Sequence, residues 1–345
     1  MQTSSTDKIM ASPHTHSTNT VTVIMRQVLY ALIPGILLSI IFFGVGILIH
    51  CIIAVVFALL SEALVLKCRK QEIAPILKDG TAIITALLFA LTLSPFTAWW
   101  VSLTGIAFAI IVAKHIFGGL GRNPFNPAMA GYVFVLLCFP VKMAYWPDLS
   151  GLDEQELTFW QNISIIFSGL PADFKLDAIT GATPLANMKV ELSLMTMVSE
   201  IEINPLYGTL GGKGWEWIAV AYLVGGIWLI INKIIHWQIP ITVLTSLFII
   251  SCLFNVIDTD IFPSAIFHLF TSGTMLCAFF IATDPASSST TPAGKIIYAV
   301  GVGLLIYIIR TWGGYPDGIA FSIIIMNALV PLIDYYTQPK ALGKK

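Results

Sequence analysis

Residue types and spacing that could do chemistry gather in Asp177-Ala178-Ile179-Thr180-Gly181-Ala182-Thr183-Pro184-Leu185-Ala186. Taken alone, the stretch reads as a turn: glycine for a strained backbone, proline to close it, Thr and Asp bonding local amides. Its context adds weight. An acidic residue, Asp177, precedes Thr183, small neighbours leave that hydroxyl accessible, and the stretch lies in a hydrophilic segment. A second set is polar without being nucleophilic. Asp79, Asn123, Asn126 and Asp284 stand beside apolar runs, where each either bonds the backbone locally or meets an ion. Glu62 reads as a snorkelling side chain near a helix end, because Lys67 and Arg69 follow within two turns. Cys51, Cys68, Cys138, Cys252 and Cys277 are scattered in or beside apolar stretches with no CxxC pair, which speaks against a disulfide framework or a metal site.

The elements that must position these groups are membrane spans. Hydrophobic residues make up 57% of the 345-residue chain and charged ones 11%, against roughly 25% charged in a soluble domain. A net charge of −1 suits neither a nucleic-acid binder nor a disordered chain. A helix needs about 20 apolar residues to cross the bilayer core. Gln27 to Ser61 carries no charge, and the Gly44-Val45-Gly46 break divides it into two spans. Gly80 to Ala113 is divided at Ser94-Pro95, where proline ends a helix. Single runs follow at 123–141, 217–232, 234–257, 261–283, 296–309 and 318–333, making about ten spans in all.

Basic residues resist translocation. An inward amino terminus keeps 13 of the 18 Lys and Arg inside, among them Lys67, Arg69, Lys70, Lys114 and Lys233. Parity then puts the long hydrophilic segment 144–214 outside. The organisation expected is a disordered cytoplasmic tail over 1–25, a first membrane repeat of five spans over 26–143, the outer segment 144–214, a second repeat of five spans over 215–336, and a cytoplasmic tail over 337–345.

The two repeats are visible in the sequence itself, at an offset of about 190–195 residues. Gly80-Thr81 matches Gly273-Thr274, Ser94-Pro95 matches Asp284-Pro285, and Gly118-Gly119 matches Gly313-Gly314. Matched spans are an odd number apart, so the copies insert in opposite orientations, an arrangement that builds transporters with sites at the repeat interface. Polar interruptions such as residues 118–127 and 313–318 are either turns at the membrane surface or backbone lining a protected cavity. The fold class expected is an all-α integral membrane protein, about ten transmembrane helices in two inverted repeats, with one long periplasmic loop.

The pattern Asp-x-x-(Ser/Thr)-Gly-Ala-(Ser/Thr) at Asp177, Thr180, Gly181, Ala182 and Thr183 resembles the flavinylation site of bacterial Rnf and Nqr electron-transport complexes. Residues 118–132, 281–295 and 310–339 look like the D subunit of the Rnf (Rsx) ion-translocating complex, a likeness spanning essentially the whole membrane part. The related Nqr B subunit shares the motif and usually has a longer amino-terminal extension. The resemblance implies FMN joined through its phosphate to Thr183 by an exported flavin transferase, and it admits a second, noncovalent flavin. It also implies a translocase subunit of the bacterial inner membrane, not catalytic alone, assembled with the A, B, C and E subunits and the FMN-bearing G subunit. Electrons would pass between ferredoxin- and NAD-linked partners, coupled to Na⁺ or H⁺ movement. The chain itself has no clustered Cys, Rossmann glycine fingerprint or Walker loop, in keeping with that division of labour. The alternatives are an Nqr B-type subunit of a quinone reductase and a flavin-independent, urea-transporter-like channel.

Overall fold

The computed structural model describes residues 20–147, 149, 157–169 and 180–338. Within them the chain is helical apart from one two-stranded ribbon. Helix α1 (Val21–Phe43) begins where the Thr20 hydroxyl accepts from the Val23 amide, so residues 21–25, expected in the tail, form its first turns. It stops at Gly44, whose φ of 82° suits a residue without Cβ. Helix α2 (Gly46–Cys68) starts two residues later, and a Cβ on Gly46 would stand 2.7 Å from the Pro95 carbonyl. The glycine pair therefore turns the chain and lets α2 approach the Ser94-Pro95 corner.

A short α3 (Ile73–Leu77) leads to α4 (Thr81–Ala90), the corner, and α5 (Trp99–Ile116), whose second half, Phe108–Ile116, widens into a π-helix. Then come α6 (Pro127–Cys138), the single turn α7 (Pro140–Met143) and strand β1 (Trp146–Pro147). Helix α8 (Phe159–Ser168) opens with a capping box between Thr158 and Gln161. Strand β2 (Thr180–Gly181) pairs antiparallel with β1, Trp146 opposite Gly181 and Pro147 opposite Thr180. It feeds α9 (Pro184–Ser193) and α10 (Val198–Ile201).

The second half repeats the first element by element: α11 (Trp215–Ile231), α12 (Gln238–Ile257), short α13 (Ala265–Phe270), and α14 (Thr274–Leu276) continued by a π turn, Cys277–Ile281. Helices α15 (Pro292–Trp312) and α16 (Ile319–Thr337) complete it. Six of these helices are long and apolar enough to cross a membrane: α1, α2, α5, α12, α15 and α16. Helices α4, α6 and α11 are apolar but shorter. At 1.5 Å per residue, the 10-residue α4 reaches about 15 Å, half the bilayer core.

The run 261–283 is not the single span its hydropathy suggested. Ser264 caps α13 and Ser272 takes a positive φ of 61°, so the segment is broken into two short helices. Apolar side chains such as Ile41, Leu60, Leu64 and Val256 face outward, as lipid contact requires, over one continuous buried core shared by both halves.

The two halves run in opposite directions. The first turns of α1 (Val21, Ile24, Met25, Val28) and the end of α11 (Leu229) line one cavity. The end of α1 (Ser39, Phe43) and the start of α11 (Trp215, Ile218, Tyr222) line another. Eleven residues separate Val28 from Ser39, placing the cavities about 16 Å apart along α1. The matched half-helices obey the same inversion: Thr81 of α4 opens on the first cavity and Leu276 of α14 on the second.

Candidate functional site

Thr183 is the N-cap of α9. Its backbone is extended (φ −65°, ψ 154°), and its Oγ1 accepts from the Ala186 amide at 3.2 Å. Pro184 follows at the first helical position, where a missing N–H costs nothing. Thr180 and Gly181 form β2, and the pairing with β1 fixes the chain just before the cap. Ala182 is exposed and Thr183 half-buried. Asp177 lies outside the described residues. Asn187, one turn into α9, accepts from the Tyr207 hydroxyl at 2.8 Å, and burial with Glu191 and Glu202 nearby pushes that phenol up from its ordinary value.

Residues 182–186 form one lip of a cavity of about 420 Å³ that runs between the two halves. Its walls are strongly aromatic: Phe43, Trp146, Trp215, Tyr132, Tyr222 and Tyr315. Three of these rings pack on one another, with centroids 4.7 Å apart for Phe43–Trp215 and 5.0 Å for Trp146–Trp215. The polar groups in the wall are few, among them Thr271, Ser272 and Asp317. Thr271 is 1% exposed and its Oγ1 has no hydrogen-bond partner among the described residues. A buried hydroxyl left unpaired costs on the order of 1–3 kcal/mol, which an entering polar group would recover.

The arrangement fits a ring-bearing phosphate group. The amino terminus of α9 offers the Leu185 amide and a positive dipole end beside Thr183, since Pro184 has no N–H and the Ala186 and Asn187 amides already donate to Thr183. The adjoining cavity is sized and lined for a flat aromatic system and has an unsatisfied hydroxyl in its wall.

A polar knot lies beneath this cavity. Asp317 accepts from the Ser272 hydroxyl at 2.5 Å, the Arg310 guanidinium at 3.2 Å and the Ile319 amide at 3.2 Å. Arg310, 4% exposed, also donates to the His268 carbonyl and to Thr274 Oγ1, each within 2.9 Å. The inverted half carries its own version. Lys114 donates to Thr81 Oγ1 at 2.9 Å, matching Arg310 on Thr274, and pairs with Glu62 at 2.5 Å. His115 Nε2 lies 3.1 Å from the same Glu62 oxygen. Glu62 is therefore fully buried and paired, not a snorkelling side chain. Sequence reading missed both knots. The available signal was a carboxylate in one apolar run and a cation at the end of another.

The second cavity, about 580 Å³, holds three of the four polar residues singled out from the sequence: Asn123, Asn126 and Asp284. Asn126 caps α6 through the Met129 amide at 3.2 Å and donates to the Ile281 carbonyl at 3.2 Å, tying one half to the other. Asn123 donates to the Phe125 carbonyl at 3.0 Å, and Asp284 accepts from Ser287 at 2.8 Å. Asp79 stands apart from that lining, just before α4, and accepts from the Thr81 amide and hydroxyl at 2.7 Å each. No group of three or more His, Cys, Asp or Glu suited to a metal occurs among the described residues.

Comparison with known proteins matches this sequence to the NQR2, RnfD, RnfE family over residues 8–343. It is 46% identical to the D subunit of the ion-translocating oxidoreductase complex of Aliivibrio salmonicida, over 98% of each chain. It is 44% identical to the D subunit of the same complex from Escherichia coli, covering 98% of this chain and 99% of that one. The Shigella dysenteriae counterpart is 43% identical over the same shares.

Proposed function

The chain belongs to the NQR2, RnfD, RnfE family and is a membrane subunit of an ion-translocating oxidoreductase, and on that premise we propose that it carries FMN as a phosphoester on Thr183. The observation that carries the proposal is the coincidence at one place of an N-cap hydroxyl, a helix amino terminus and an aromatic cavity. Bound there, FMN would supply one- and two-electron transfer. Thr183 provides the oxygen of the ester bond, the Leu185 amide and the α9 dipole favour the phosphate charge, and the aromatic walls exclude water from the ring. The ester uses no atom of the ring, so its redox chemistry is left free.

The subunit works within a complex, with electrons arriving from and leaving to neighbouring subunits while Na⁺ or H⁺ crosses. A flavin transferase installs the cofactor. Mass spectrometry of the peptide containing Thr183, from protein coexpressed with that transferase, tests the reading. The expected result is a mass increment equal to one FMN less water, localised to Thr183. An unmodified peptide would sink it.

The chain is a multi-pass membrane protein, and residues 180–214 sit on its outer side with both termini inside, in the bacterial inner membrane. The support is the concentration of Lys and Arg in the connections on the α2–α3 side. Ile203, 81% exposed, offers a reporter, and native Cys68, exposed at the end of α2, offers an internal control for the other face. In intact cells carrying Cys138→Ser, which removes the exposed native thiol at the outer end of α6, Ile203→Cys is expected to react with a membrane-impermeant maleimide, and Cys68 only after permeabilisation. The reverse pattern would refute this orientation.

A further inference from the structure

Lys189 stands in the second turn of α9, about 9 Å along the helix from Thr183. Its side chain leaves α9 altogether. The ammonium donates to the carbonyls of Gly313 at 2.5 Å, Arg310 at 3.0 Å and Tyr315 at 3.1 Å, with Ile309 at 3.4 Å sharing one of its three protons. These oxygens belong to the last turn of α15 and the loop after it; the Ile309 carbonyl also accepts from the Gly313 amide, and the helix dipole is negative at this end. The ammonium sits at the place on α15 best suited to a cation.

What lies on either side of this contact gives it meaning. On one side is the helix whose cap is Thr183. On the other is the loop bearing Tyr315 and Asp317, which form the opposite wall of the same cavity. Apart from Lys189, α9 is held mainly by a small apolar cluster of Leu185, Met188, Val198, Ile201 and Phe267, separate from the main core. Lys189 is the only cation on α9. The loop is gripped twice: from within by Arg310 on Asp317, and from outside by Lys189. Partial burial lowers the Lys189 pKa from its ordinary value, so the carbonyls must compensate for water that the ammonium has given up.

We propose that Lys189 is a positioning residue, a bolt between α9 and the carbonyl end of α15 that keeps the flavin ring on Thr183 inside the aromatic cavity. The inference rests on the assignment of FMN to Thr183. Lys189 lies outside the flavinylation motif in sequence, so attachment and placement are read by separate measurements.

The test compares wild type, Lys189→Met and Lys189→Arg, each coexpressed with the flavin transferase and purified in detergent. Flavin content is read on a denaturing gel; flavin emission and its quenching by iodide are read in the folded protein. Equal flavin content in all three is expected. A ring packed among Trp146, Trp215 and the tyrosines is quenched by them and shielded from iodide. In Lys189→Met, emission should rise several-fold and iodide quenching should increase, and Lys189→Arg, which keeps the cation, should stay close to wild type. Wild-type emission and shielding in Lys189→Met would overturn the proposal, as would equal release in the methionine and arginine variants. If Lys189→Met does not accumulate, Lys189→Gln makes the same comparison with a neutral donor and is judged by the same outcomes. A wild-type gel without flavin would remove the assignment to Thr183 itself, a failure distinct from flavin present but unmoved.

Discussion

Thr183→Val is expected to give a protein that inserts and purifies normally but shows no flavin fluorescence on a denaturing gel. Valine matches threonine in shape and lacks the one atom that can form the ester, so the loss should be complete. The structure also assigns that oxygen a second task, because Oγ1 caps α9 through the Ala186 amide. Losing the cap costs about 1 kcal/mol, too little to unfold a protein whose buried core joins both halves. Thr183→Ser separates the two roles from mere bulk, since it keeps the oxygen for both and should retain flavin. Fluorescence persisting in the valine variant would place the attachment elsewhere. A wild type that never fluoresces would remove FMN from this subunit.

The second large effect concerns stability. Lys114→Met should destabilise the protein by about 3–5 kcal/mol, the usual consequence of leaving one member of a buried ion pair without its partner. Glu62 has no exposure to share with solvent, and Lys114 also holds Thr81 at the start of α4. His115 is the remaining neighbour, its Nε2 3.1 Å from the same Glu62 oxygen. Combining Lys114→Met with Glu62→Gln removes both charges and should recover most of the stability. Thermal unfolding in detergent measures all three variants. A double variant as unstable as Lys114→Met would show that the pair's charges are not what holds this knot together.

Much of this architecture was legible because the sequence marks where a helix cannot continue. Gly44 and Gly46 bounded α1 and α2, and Ser94-Pro95 marked the corner before α5, since glycine and proline act through local backbone sterics that composition reveals. The run 261–283 looked like one span because hydropathy counts side chains and ignores the path of the backbone. A serine at positive φ broke it, and nothing apolar signals that. Glu62 was misread for a related reason: Lys67 and Arg69 were its neighbours in sequence, whereas its actual partner, Lys114, is 52 residues away. The motif ending at Thr183 was readable as a turn with an available hydroxyl. The cavity beside it was not, because its walls come from both halves of the chain.

The two cavities, well separated along α1, approach each other on α6, where Ala128 lines one and its neighbour Met129 the other. Were water to reach the second cavity and the outer mouth of the first, the low-dielectric barrier would narrow to the stretch between them, and much of the voltage across the bilayer would fall there. A charge moved across that stretch would then experience much of the potential, about 2.3 kcal/mol per elementary charge for each 100 mV. Short local displacements would suffice to do electrical work that in an unindented membrane would require crossing its full thickness.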